Sequence, residues 1–123
     1  MNKIQPEVVV VALFYKIGPT IRLTDTVLVK VLHDAAQKDP SLFGDFTWHP
    51  QYHDSKVLSE VLYNLTLGGG IIREGITKYL RVSERTAGSY GRNTFQSLDS
   101  SLQEKISIMA ELVKRKCDSP AYV

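Results

Sequence analysis

Three consecutive glycines, Gly68-Gly69-Gly70, constrain this chain more than any other feature. Glycine accepts positive φ and weakens a helix interior, so such a run ends any helix that reaches it and turns the chain sharply. On its N-terminal side Val57, Leu58, Val61, Leu62 and Leu65 form one apolar stripe at helical spacing, with Asp54 placed to cap. On its C-terminal side Ile71-Ile72-Arg73 and Thr77 to Ser83 read as two strands around a turn near Glu74-Gly75. Along the second strand Leu80 and Val82 share one face, and Tyr79 and Arg81 share the other. The stretch from Asp54 to Ser83 is thus a helix delivered straight into a small hairpin.

Two further helices precede it. Pro6 suits a first helical turn, where its missing N–H costs nothing, and Glu7 complements the positive end of the helix dipole. The first helix is expected from about Pro6 to Ile17, stopped by Gly18-Pro19, with Ile21-Arg22-Leu23 as a brief strand after it. The β-branched run Val8-Val9-Val10-Val11 leaves a buried strand as the competing reading. Thr24 is placed to cap a second helix, whose stripe of Val27, Leu28, Val31, Leu32 and Ala35 repeats the later arithmetic until Asp39-Pro40 ends it. Matching stripes predict helices that pack on each other and on the first, a three-helix core.

Beyond the hairpin, Glu84 to Ser97 is rich in Gly, Ser, Arg and Asn and reads as loop, with room for one helical turn. Ser101-Leu102-Gln103-Glu104 is a capping box that opens a last helix to about Lys116. Leu102, Ile106, Met109 and Val113 recur at four, three and four, an a/d seam. From spacing alone, such a helix folds back on the core or pairs with its copy about a twofold axis, and both stay open.

Composition bears on what kind of protein this is. A chain of 123 residues is about one domain. A formal net charge of +2 excludes an intense field of the kind that coats nucleic acid. One cysteine, Cys117, cannot form an internal disulfide and fits a reducing compartment. The longest apolar run, Val8 to Tyr15, falls far short of the roughly 20 residues a membrane span needs. The start lacks the order of a signal peptide, so cytoplasmic residence is expected. His33, His49 and His53 show no paired-ligand spacing, and Cys117 lies far from them, so no metal or other cofactor is expected. No phosphate-cradling glycine loop and no nucleophile with a base at identifiable spacing appears, so the chain is read as a non-enzyme.

The order helix, short strand, helix, helix, hairpin, helix resembles the winged helix-turn-helix superfamily. Leu58, Leu62 and Leu65, then Gly70-Ile71-Ile72, then Lys78-Tyr79-Leu80-Arg81-Val82-Ser83 with Gly88 soon after, carry the resemblance. More loosely, Phe46 to His53 is similar to the aromatic approach in small bacterial and phage-associated members, with His49-Pro50-Gln51-Tyr52-His53-Asp54 standing where those often have a Tyr-Gly-Pro-Tyr-type motif. The resemblance implies an α+β, mainly helical fold: a winged-helix domain over residues 1–95, and a C-terminal helix over 96–123 that pairs two copies through Leu102, Ile106, Met109 and Val113.

Double-stranded DNA is then the expected partner and transcriptional regulation the expected role. Ser55, Lys56, Ser59 and Asn64 on the third helix would enter the major groove, while Arg73, Lys78 and Arg81 on the hairpin would hold flanking phosphates. The competing expectation is a winged-helix protein-interaction module without DNA affinity, an adaptor or accessory factor. Low net charge, Glu60 on the outward face, and exposed aromatics such as Trp48 and Tyr52 favour that alternative. Counting charges, the helix is nearly neutral outside and the hairpin region holds most of the cations.

Overall fold

The computed structural model describes residues 5–19, 22–38, 46, 48, 55–73 and 79–118. Helix α1 spans Pro6–Ile17, with Pro6 in its first turn, and the chain leaves it at Gly18 at φ 84°. The valine run is helical, not a strand. Val9, Val10, Val11, Ala12, Leu13, Phe14 and Ile17 are all buried, because α1 packs against several neighbouring elements. That burial outweighs the helix-propensity penalty of valine, about 0.5 kcal/mol per residue.

Strand β1 (Arg22–Thr24) leads into α2 (Asp25–Lys38). Thr24 caps α2, its Oγ1 accepting from the Val27 N–H at 3.1 Å. Helix α3 spans Lys56–Leu67. Its cap is Ser55, one residue later than expected, whose Oγ accepts from the Leu58 N–H at 3.2 Å; Asp54 lies outside the described residues. After α3 the glycines do what the sequence demands. Gly69 sits at φ 79°, and the Gly70 N–H reaches back to the Leu65 carbonyl at 2.8 Å.

Strands β2 (Ile71–Arg73) and β3 (Tyr79–Val82) pair antiparallel, and β1 adds to the other side of β3, giving the order β1-β3-β2. The turn at Glu74-Gly75 lies outside the described residues. Leu80 and Val82 are buried and Tyr79 is exposed, so the alternation along β3 holds.

The segment expected to be loop is helical instead. Ser83 caps α4 (Glu84–Ala87), accepting from the Thr86 N–H at 3.3 Å, and α5 (Ser89–Gln96) follows. Its glycine serves close approach rather than disorder. A Cβ at buried Gly91 would stand 1.8 Å from the Thr86 carbonyl oxygen and 2.7 Å from Tyr15 Cβ. That contact lets α5 lie against α1, where Tyr15 and Phe95 meet at 5.7 Å between ring centroids.

Helix α6 runs from Ser100 to Asp118. Its cap is Asp99, whose Oδ1 accepts from the Leu102 N–H at 2.9 Å, and not the Ser101 capping box. Gln103 Nε2 donates to the Phe95 and Leu98 carbonyls at 3.1 and 3.0 Å, tying α6 to the end of α5.

One core unites these elements: Phe14, Leu23, Leu28, Leu32, Phe46, Leu58, Ile71, Leu80 and Ile106 are fully buried within it. The expected dimer seam therefore needs correction. Ile106, Met109 and Val113 are buried in the chain's own core and Leu102 is half-buried against it, because α6 packs on α1 and α2. The broad apolar surface of α1 extends beyond the three-helix core, and α5 and α6 pack on it. The fold is α+β and mainly helical, with a small three-stranded antiparallel sheet. Among the described residues no helix is long and apolar enough to cross a membrane.

Candidate interaction face

Helix α3 turns Leu58, Val61, Leu62 and Leu65 inward. The same periodicity leaves Lys56, Ser59, Glu60, Tyr63, Asn64 and Leu67 exposed. The first five line one shallow open depression. Its walls all come from a single helix, so it is the gap between neighbouring side chains and encloses no small molecule.

The seven residues expected to contact DNA meet different fates. Lys56, Ser59 and Asn64 are exposed on α3 as expected. Ser55 is not on that face: it is buried, capping α3 and donating its hydroxyl proton to the Phe46 carbonyl. An N-cap sits off the helical spiral in extended backbone, here at φ −147°, so extrapolating the outward stripe to it fails. Lys78 lies outside the described residues.

Arg73 and Arg81 are on opposite faces of the sheet. Arg73 pairs in register with Leu80, whereas Arg81 pairs with Ile72, and side chains alternate along a strand. Arg73 reaches over the edge to Asp25 at the start of α2, with Nη1 at 3.0 and 3.1 Å from the two carboxylate oxygens. The pair is solvent-exposed, so it offsets the charge of Arg73 only in part. Arg81 is half-buried on the outer face, where Ile72 and Tyr79 are 40% and 42% exposed and Arg22 is its register partner on β1.

Within α3 itself, exposed Lys56 and Glu60 stand one turn apart with opposite charges. The most exposed part of this face is apolar: Tyr63 is outward as its spacing predicts, and Leu67 joins it. Leu67, at 69%, and Tyr63, at 63%, are the most exposed large hydrophobic side chains among the described residues, and they lie four apart on the face of Lys56 and Glu60. The signal was present, since Leu67 falls two residues after Leu65 and so off the inward stripe. Beside Leu67, the Gly68 carbonyl accepts from Arg85 Nη1 at 3.4 Å, and the Arg85 guanidinium lies 5.1 Å from the centre of the Tyr90 ring. Arg85 belongs to α4 and Tyr90 to α5, and the helical form of this segment brings both beside the end of α3.

Trp48, expected among exposed aromatics, is half-buried. It stacks on buried Phe46 with ring centroids 6.0 Å apart and meets the His33 ring edge-on at 5.5 Å. Its bridge to Ser55 ties this aromatic pair to the start of α3. Tyr52, His49 and His53 lie outside the described residues. Among the described residues no three His, Cys, Asp or Glu side chains group to hold a metal ion. Comparison with family models, with curated proteins and with solved structures finds no match to this chain.

Proposed function

We propose that this chain is a winged-helix protein-interaction module that receives a protein partner on the outward face of α3. The winged-helix part of the reading is supported by the element order and by a sheet ordered β1-β3-β2, in which the strand after α1 joins the hairpin. The observation that carries the interaction part is the exposure of Tyr63 and Leu67 beside a charge-balanced Lys56 and Glu60. Covering a large apolar side chain is worth about 1.5–3 kcal/mol, and tyrosine is enriched where protein interfaces gain most. DNA affinity at physiological salt comes largely from neutralised phosphates. Here Glu60 stands one turn from Lys56 and Asp25 pairs with Arg73, which lowers that term on α3 and β2.

A double-stranded DNA-binding regulator is the second reading. It is favoured by Lys56, Ser59 and Asn64 staying exposed on α3. In that reading a homodimer has to pair through surfaces other than the Leu102 to Val113 seam.

The two separate cleanly by photo-crosslinking. A photoreactive residue in place of Ser59, in cells that express the chain, is expected to give a nuclease-resistant adduct with one protein. Leu67→Asp removes that adduct, and the partner, identified by mass and purified, binds the wild-type chain directly. Nuclease-sensitive adducts, with duplex affinity that falls with salt and weakens in Lys56→Ala and Arg81→Ala, would overturn the protein reading.

A further inference from the structure

Resting on the protein-docking reading, we propose that the partner presents a carboxylate flanked by apolar side chains, and that Arg85 receives it at the C-terminal end of α3. Three observations meet there. Leu67 is 69% exposed, and the next residue, Gly68, offers its carbonyl to Arg85 Nη1 at 3.4 Å. The same guanidinium lies 5.1 Å from the centre of the Tyr90 ring, itself 37% exposed. No carboxylate pairs with Arg85 among the described residues, although Glu84 adjoins it in sequence.

One carbonyl and one ring hold the guanidinium beside the end of α3 before any ligand arrives. Four of its five N–H donors stay available, in a planar fork that matches a carboxylate. The neighbours decide which anion suits it. Leu67 and Tyr90 are apolar surface on which aliphatic or aromatic side chains gain by burial, whereas a phosphodiester backbone brings little to bury against them. Charge and apolar complementarity together select an acidic, apolar peptide segment over a nucleic-acid strand.

The test uses the full chain and three probes: a blocked peptide alternating leucine and glutamate, its glutamine counterpart, and a short DNA duplex. Chemical-shift changes at the Arg85 Nε–H and the Leu67 methyls report binding. The glutamate peptide is expected to shift both signals, the glutamine peptide to bind roughly tenfold more weakly, and the duplex to leave the Leu67 methyls unmoved. Arg85→Gln should erase the preference for glutamate over glutamine, and Arg85→Lys should restore part of it, since the charge returns without the fork. Equal response to both peptides, no response to either, or a response to the duplex alone overturns the proposal. That failure is separable from failure of the docking reading: a Leu67-dependent protein adduct at Ser59 can persist when Arg85 shows no acid preference.

Discussion

Helices α1 and α3 have the same length, 12 residues, and opposite fates. Seven residues of α1 are buried, including three consecutive valines, and its neighbours α3, α4, α5, α6 and β3 enclose it. Only four residues of α3 are buried, on one side. A helix packed over most of its surface serves the fold as a scaffold. A helix packed on one side has a face to spare, and whatever stands on that face is not explained by folding. Exposed Tyr63 and Leu67, adjacent on one face, are therefore the candidates for contact with a partner, and α1 offers the standard against which to judge them.

The sharpest way to break the comparison is to truncate one aromatic on each helix. Phe14→Ala, at a fully buried site of α1, is expected to cost about 3–5 kcal/mol in chemical denaturation. Tyr63→Ala on α3 should stay within about 0.5 kcal/mol. Comparable losses would mean that the outward face of α3 is structural after all.

The cover over α1 can be tested next. Ile106→Ala should destabilise the chain by about 2–5 kcal/mol, with the sedimenting mass unchanged, whereas Ile108→Ala, at a 55% exposed position, should leave stability nearly untouched. A change of mass in the Ile106 variant without loss of stability would restore the seam as an interface between copies. The smallest effect concerns how α3 is set in place. Ser55→Ala removes a cap and the bond to the Phe46 carbonyl, and should cost about 1–2 kcal/mol in thermal or chemical unfolding. An unaltered midpoint would show that the start of α3 is held by its stripe alone.

How far the sequence reached depends on the range of the interaction involved. Thr24 as a cap, the Gly68–Gly70 stop and the alternation of Leu80 and Val82 were legible, since each is decided within a few residues. The Ser55 and Asp99 caps were displaced by one and two positions from the residues expected. Aspartate and serine compete at every helix start, and the winner depends on what else each can bond. The helices at Glu84 and Ser89 were missed because Gly91 looks like a loop residue until Thr86 and Tyr15 are seen against it. The proposed site suffered similarly: Lys56, Ser59 and Asn64 stayed outward, but Arg73 turned to Asp25 across 48 residues of chain.

The local spacing of residues determined by itself that Lys56–Leu67 is helix, Gly68 to Gly70 its stop, and Ile71–Arg73 and Tyr79–Val82 strands, because periodicity and backbone freedom are short-range properties. Only the tertiary structure decided where each amphipathic face is spent. The a/d seam of α6 could cover α1 or a second copy with equal chemistry, and packing within one chain assigned it to α1. The cations of the hairpin could serve a ligand or the protein, and strand register put Arg73 on the side of Asp25 and Arg81 on the other. Burial and charge pairing join residues far apart in sequence, so the partners that settle them are chosen by the fold.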